Sequence, residues 1–447
     1  MIGIVGGGIA GLAAAYRLQH HGHEAHVFEA ADQLGGLAAT WETAGDRIEK
    51  FYHHLSKTEE TIVELAEELA LGEDLEWPIG KNAYYVDGTV HPLDTAWEIA
   101  AYPHLSLYDK FRLGMLVLGV DVRGGRPDFD AYEDLRAYEE VPIREFILEH
   151  TTAGVYENFF APLLDAKFGD RADDVSAAWL LGRVQFRGER DLLRGEPLGY
   201  LDGGFHRLVE ALVEAVGRDH ISTGARVTDL RTAGGAVDAL TVETDEGTET
   251  HAVDGVVVAA MPTVLEDLTG YECAIDFQGT VCSLVSMDRP LTDTYWLNVR
   301  EETPFGALIE HTNYIPPERY GGEHLVYVPK YINSPDDPVW QADDDEVKDL
   351  WLDGIADLFP DFERSQVNWV KTARNPRTAP VYERGYLDMV VPYDLADDVA
   401  DGVYYAGMAS MAQYPERSLN GGIEAGYTCA DLVAGVDPDW GLVSPDE

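Results

Sequence analysis

Gly6, Gly8 and Gly11, in the run Gly6-Gly7-Gly8-Ile9-Ala10-Gly11, are spaced to bring bare backbone against an anion. The apolar stretch before them reads as a strand, and Leu12 to His20 behind them as a helix. In that order Gly6 permits a sharp turn, Gly8 lets the backbone approach a diphosphate, and Gly11 lets the helix lie close on the strand, so that helix N–H groups face the anion. A second apolar run, Ala25-His26-Val27-Phe28, ends at Glu29-Ala30, eighteen residues beyond Gly11. A strand-end carboxylate at that distance suits the ribose hydroxyls of an adenosine. The chemistry these residues support is the holding of a dinucleotide.

The elements that must position this turn follow from hydrophobic periodicity. Gly35-Gly36-Leu37 follows directly behind the second strand and extends the phosphate cradle. Thr61 to Leu71 reads as an amphipathic helix, and Ala83-Tyr84-Tyr85-Val86 with Thr89-Val90-His91-Pro92 around Asp87-Gly88 as a hairpin. From Ala96 to about Ala177 the pattern is helical, an insertion rich in aromatics. Helix Phe205 to Val216 leads to strands Ala225 to Thr232, Ala236 to Thr244 and Thr248 to Val253, a meander, and then to Gly255 to Ala260. A second β-rich region has strands Thr280 to Met287, Ala307 to Glu310 and His324 to Pro329, then helix Asp344 to Leu358. Near the end, the buried strand Gly402-Val403-Tyr404-Tyr405-Ala406-Gly407 precedes Asn420-Gly421-Gly422, which opens a helix from Ile423 to Ala434. The expected class is α/β, α+β overall. The division is 1–80, 196–265 and 386–447 for the dinucleotide domain, 81–195 for a substrate domain with the helical insertion, and 266–385 for the substrate-domain sheet.

A chain of 447 residues exceeds what a single core encloses, so more than one domain is expected. Its 81 Asp and Glu outnumber 32 Lys and Arg, a net charge of −49 that repels nucleic acid and anionic lipid, so neither is expected as a partner. The acid excess resembles proteins adapted to concentrated salt, where ions screen self-repulsion. Cys273, Cys282 and Cys429 are odd in number, without metal-like spacing, which points to a reducing compartment; with no signal-like basic and apolar start, cytoplasm is expected. Leu113 to Val120, the longest apolar stretch outside the glycine run, is too short to span a bilayer and reads as a cap helix, with a monotopic patch as the alternative. His53 and His54 in Phe51-Tyr52-His53-His54 have no acid or cysteine at metal spacing, so they read as cofactor-lining or core histidines and no metal is expected.

Together these motifs resemble the glutathione-reductase-type flavoproteins, and within them the amine oxidase and protoporphyrinogen oxidase superfamily. Val256-Val257-Val258-Ala259-Ala260-Met261-Pro262 resembles the strand returning to the dinucleotide domain, and Gly402 to Gly407 the second FAD signature. Tyr295-Trp296-Leu297-Asn298, Ile309-Glu310-His311-Thr312-Asn313 and Tyr414-Pro415-Glu416-Arg417 resemble a bacterial and archaeal amine oxidase-like group. The resemblance implies noncovalent FAD. Its site would comprise the glycine run from Gly6 to Gly11, including Ile9 and Ala10, together with Glu29, Ala30, Gly35, Gly36, Leu37, His53, His54, the Val227 backbone and Ala260. Gly407, Met408, Gly421, Gly422 and Ile423 would complete it. Three departures stand out: Met408 where the superfamily carries an acid, Leu37 where it carries an arginine, and no lysine in Thr280-Val281-Cys282-Ser283, where amine oxidases place one near the flavin.

Substrate is expected between flavin and the second sheet, with Tyr295, Trp296, His311, Lys330 and Tyr414 as polar-tipped groups. His311 is the expected proton acceptor, because an unperturbed imidazole pKa of ~6.5 suits that role. Tyr295, Lys330 and Tyr414 stand beside it as catalytic candidates, and each also reads as packing or a strand-edge charge. The expected activity is removal of a hydride from a small or isoprenoid-like substrate, by a dehydrogenase passing electrons to an unidentified acceptor rather than a peroxide-forming oxidase. The alternatives are a flavin-dependent isomerase resembling the sugar-nucleotide mutases, for which Arg183, Arg187 and Arg190 supply a basic cluster, and a noncatalytic FAD scaffold. The oligomeric state, monomer or homo-oligomer, is left open.

Overall fold

In the computed structural model, residues 1–117, 135–186 and 194–438 are described. Arg187 and Arg190, and the end of the apolar stretch at 118–120, lie outside the described residues. A five-stranded sheet carries the first glycine turn. From one edge its strands are Ile221–Ser222, Ala25–Phe28, Ile2–Val5, Gly255–Val258 and Val403–Tyr405, and all pairs are parallel. Continuous apolar runs suit this arrangement, because helices cover both faces of a parallel sheet. Ile9–His20 packs on one such face and against Leu419–Ala434, the last helix among the described residues. The meander Arg226–Ala233, Ala236–Thr244 and Gly247–Ala252 forms its own antiparallel sheet, as its turns dictate. The class is α/β, with this dinucleotide sheet beside a larger, mostly antiparallel one.

The larger sheet has seven strands in the order Val367–Pro380, Phe277–Met287, His324–Ile332, Ala307–Glu310, Trp296–Val299, Asn82–Val86 and Thr89–Pro92. Its edge strand Val367–Pro380 has no counterpart in the sequence reading. Charged residues along Asn368 to Arg377 and a proline at Pro376 argue against a strand, yet both suit an edge, where one side of the backbone faces no partner. Pro376 falls where the pairing with Phe277–Met287 shifts register, between Gln278 and Thr280, so its missing N–H interrupts no ladder bond.

Alternation along the strands divides this sheet into two faces. Val281, Val285, Leu297, Val326 and Val328 point to the face covered by helix Asp344–Leu358, whose Trp351 is wholly buried there. Cys282, Leu284, Tyr327 and Ala373 point the other way, into a core shared with Ile9, Leu12 and Ala13 of the first helix. The second face is therefore the one turned toward the glycine cradle. No helix among the described residues is long and apolar enough to cross a membrane.

Candidate functional site

The carboxyl ends of the parallel strands form a continuous rim: Gly6 after Ile2–Val5, Glu29 after Ala25–Phe28, Ala260 after Gly255–Val258, and Gly407 with Met408 after Val403–Tyr405. A ligand crevice belongs at this edge of a doubly wound sheet. Gly8 and Gly35 pair as a parallel bridge, so the two glycine turns lie side by side and the groove between Gly8 and Gly36 is walled by backbone. Gly8 provides no capping side chain to the first helix, and the first turn holds no acid, so its N–H groups present positive potential to the groove. Glu29 Oε2 accepts the Gly7 N–H at 2.7 Å and Oε1 the Ala31 N–H at 2.8 Å. Beyond its expected partnership with ribose, this carboxylate clamps the turn to the second strand. Ala225 N–H donates to the Glu29 carbonyl oxygen at 2.8 Å, which brings Val227 to the same end of the sheet.

The last helix starts earlier than its glycines suggest. Ser418 is the N-cap, its Oγ accepting from Gly421 N–H at 3.0 Å, and Gly422 N–H donates to the Ser418 carbonyl at 3.2 Å. Gly421, Gly422 and Ile423 therefore lack the free N–H groups expected of a helix opening. Those of Leu419 and Asn420 carry no hydrogen bond among the described residues, and they are the donors this terminus offers. Gly421 is needed for packing instead, since a Cβ there would stand 2.1 Å from the Ala412 carbonyl oxygen. A backbone-walled groove, an uncapped first helix and a second helix terminus with unused donors fit the two ends of FAD. The side chains of Leu37, half-buried, and Met408 bring it no charge.

On the cradle-facing side of the large sheet a chamber of aromatic and basic groups takes shape. Tyr52 and Tyr331 hydroxyls lie 2.9 Å apart, Arg417 Nη2 donates to the Tyr331 hydroxyl at 3.1 Å, and the Arg417 backbone N–H donates to the Tyr382 hydroxyl at 3.0 Å. The Tyr52 ring meets Trp296 edge-on at 5.1 Å. His54 Nδ1 lies 3.0 Å from the Tyr295 hydroxyl, and His53 donates from Nδ1 to the Phe51 carbonyl at 2.7 Å. Burial chiefly drives the His53 pKa down to about 4, so it stays neutral. Two adjacent histidines are thus committed to different partners. Thr280, opposite Tyr331 in the ladder, has a buried hydroxyl without a partner among the described residues, and burial pushes up the pKa of Cys282 on the same face.

Three of the catalytic candidates are corrected here. His311 is 2 % exposed, ringed by Tyr200, Tyr314, Tyr320 and Tyr327, with Nε2 2.7 Å from the Tyr320 hydroxyl. Burial, then the nearby Arg319 charge, takes its pKa down to about 3, so it cannot accept a proton near neutrality. Lys330 follows the alternation onto the far face of its strand and pairs with Asp337 at 3.1 Å. Tyr414 is a core residue, its hydroxyl donating to Glu139 at 2.9 Å and its ring stacked on Tyr386. Of the four, Tyr295 alone turns its polar tip to a chamber group, His54, while Tyr414 meets the Tyr382 ring only with its own ring. His311→Phe should lower the melting temperature, because an orphaned buried hydroxyl costs about 1–3 kcal/mol. It should leave the rate and pH profile of flavin reduction unchanged, and a shifted pH profile in stopped-flow measurements would return His311 to the chemistry.

Lys167, Trp179 and Tyr382 were not singled out from sequence, Arg417 entered only within the motif Tyr414-Pro415-Glu416-Arg417, and Arg183 only in the basic cluster of the isomerase alternative. Lys167 Nζ sits 2.7 Å from Glu416 Oε1, Arg183 pairs with the other Glu416 oxygen, and Lys167 lies over the Trp179 ring at 4.9 Å. Lysine is rare in this chain, and Lys167 among aromatics at Phe168 and Trp179 was the available signal.

Comparison with known proteins gives a family match over nearly the whole chain. The flavin containing amine oxidoreductases match residues 9–434. AofH of Mycobacterium tuberculosis, which carries the name of a flavin-containing monoamine oxidase, is 27% identical over 267 residues, 58% of this chain and 56% of AofH. The chain therefore spans little more than half the length of the first curated relatives it matches. A structure from Exiguobacterium sp. 255-15 that carries the name of a protoporphyrinogen oxidase superimposes with a TM-score of 0.76, at 19% identity, covering 97% of this chain and 98% of that one. Reduced UDP-galactopyranose mutase superimposes with a TM-score of 0.72 at 16% identity, covering 97% and 95%. At such identities the two structures speak for the fold alone.

Proposed function

The chain belongs to the family of flavin containing amine oxidoreductases, and on that premise we propose an FAD-dependent dehydrogenase that takes a hydride from a small organic or isoprenoid-like substrate. Noncovalent FAD, when bound, supplies the hydride acceptor. The chain's own part is positioning and exclusion of water. The paired glycine turns and Glu29 hold the nucleotide end, and the unused Leu419 and Asn420 N–H groups, at the positive end of a helix dipole, favour negative charge at the other. Tyr52, Trp296, Tyr331 and Tyr382 wall the substrate space, and the Tyr295 hydroxyl against His54 is the pair placed to handle a proton.

The observation that carries the choice of dehydrogenase is the cradle-facing side of Phe277–Met287. It offers Thr280, Cys282 and Leu284, a hydroxyl, an un-ionised thiol and a hydrocarbon, so this strand has no charge with which to stabilise electron transfer to oxygen. Electrons would pass to a quinone, another flavin or a nicotinamide. The test is anaerobic photoreduction of the holoprotein followed by admission of air. Slow return of the flavin absorbance is expected, and fast return with stoichiometric peroxide would make the protein an oxidase. A second reading, an isomerase acting on a sugar nucleotide without net redox change, is favoured by Arg183 in the chamber's basic cluster. Turnover of a sugar nucleotide by the reduced protein, with no donor able to bleach the flavin, would establish it instead.

A further inference from the structure

The charge balance of the chamber runs opposite to that of the protein. In a chain with 81 acidic and 32 basic residues, Lys167, Arg183 and Arg417 gather around a single carboxylate, Glu416. The side chains of Lys167, Glu416 and Arg183 are 14%, 18% and 26% exposed, so these charges have given up much of their hydration. Glu416 already divides its two oxygens between Lys167 and Arg183. Arg417 forms no ion pair among the described residues and meets only the Tyr331 phenol through Nη2. Rings surround the group: Trp179 lies under Lys167 and Arg183, with Phe168 and Tyr382 each 5.6 Å from Lys167 Nζ. The Trp179 Nε1 donor is buried and has no acceptor among the described residues. A cross-link serving only stability would match cations with acids, because an uncompensated, partly desolvated cation is costly. Among the described residues the three basic groups outnumber the one carboxylate, which leaves cationic capacity for an anion brought from outside.

We propose that Lys167, Arg183 and Arg417 receive an oxyanion, a carboxylate or a phosphate, carried by the substrate on an apolar or aromatic body. The inference rests on the reading that substrate occupies this chamber, and it narrows the substrate class to organic acids and phosphate esters in place of simple amines. Guanidinium forks and an ammonium suit either oxyanion, and the rings suit a flat or alicyclic body. A bound oxyanion would also restore the protonated state of Lys167, whose pKa is brought down to about 7 by burial first, against the pull of Glu416.

Calorimetric titration of the holoprotein, in low-chloride buffer, with benzoate, phenyl phosphate and benzylamine tests this. One of the two aromatic oxyanions should bind with unit stoichiometry and benzylamine should not, and the tighter arm identifies carboxylate or phosphate. Arg417→Gln and Lys167→Met should each weaken that binding by about tenfold or more. Should Lys167→Met fail to fold, wild-type protein serves. With Glu416, Arg183 and Arg417 as the charged groups facing Lys167, benzoate affinity should fall as pH rises from about 6 to about 9. Tighter binding of benzylamine than of either acid, absence of binding by both acids, or an unchanged affinity in Arg417→Gln would each overturn the proposal. Binding is read without any turnover. An oxyanion that binds to a protein whose flavin no donor reduces would therefore sink the dehydrogenase and leave this site standing, whereas flavin reduced by an uncharged donor in a protein blind to both acids would do the reverse.

Discussion

Gly8→Val is expected to leave the chain folded and strip it of FAD, whereas Gly11→Val is expected to damage the fold itself. Gly8 has φ −74° and ψ 179°, an extended conformation open to any residue. A Cβ on it would stand 3.9 Å from the nearest atom, Gly36 Cα, which is ordinary contact. The valine methyl groups would nevertheless fill the groove between the two glycine turns, where a diphosphate must lie against bare backbone. A loss of about a hundredfold or more in FAD affinity follows, roughly 2.7 kcal/mol. A Cβ on Gly11 would be 2.0 Å from the Gly6 carbonyl oxygen, a backbone atom that cannot move without opening the turn. That overlap exceeds ordinary overpacking, itself about 1–3 kcal/mol. The measurement pairs flavin absorbance per protein with melting of each variant against wild-type apoprotein, so that stability lent by bound FAD is not mistaken for fold. A Gly8→Val protein that retains stoichiometric FAD would place the diphosphate elsewhere.

Glu49→Leu should be among the most damaging single changes away from the cofactor. Glu49 is fully buried, with Oε2 accepting from the Tyr200 hydroxyl at 2.8 Å and Oε1 from the Phe205 N–H at 2.7 Å, one residue before helix His206–Val216. Its carbonyl oxygen accepts the Tyr327 hydroxyl from the large sheet at 2.6 Å. One residue thus ties together three separate stretches of chain. Leucine leaves a backbone donor and a phenol orphaned, at about 1–3 kcal/mol each. Glutamine keeps an acceptor and adds a donor, so Glu49→Gln should cost far less. Burial raises the Glu49 pKa above the usual carboxylate value. The folded state therefore binds its proton more tightly than the unfolded chain does. The stabilisation this brings is complete in acid and is lost as pH rises through the folded pKa. The melting temperature of Glu49→Gln, relative to wild type, should accordingly improve with rising pH across that window. A difference that stays flat would show that the Glu49 pKa is the same in the folded and unfolded chain.

Sequence by itself determined the parts whose cause is local. Gly6 to Gly11 specify a strand, a turn and a helix with their own backbone, and the meander and the Asp87-Gly88 hairpin follow from turn residues and alternation, so these were legible without a fold. Helix Asp344–Leu358 was equally plain, with its capping box from Asp343 to Glu346. Tertiary structure alone decided which polar groups share a chamber. Lys330 and Tyr331 are neighbours in the chain, yet strand pleating sends the lysine to Asp337 and the tyrosine to Tyr52 and Arg417. His311 has the residue type of a proton acceptor, but Tyr200 from a distant stretch closes over it together with Tyr314, Tyr320 and Tyr327, removing its water and with it its basicity. The basic cluster is the clearest case: Lys167, Arg183 and Arg417 span 250 residues of an acidic chain, and only the docking of the helical insertion on the large sheet and the segment before the last helix brings them to one carboxylate. Charge, burial and proton affinity depend on neighbours in space, which pattern along the chain does not contain.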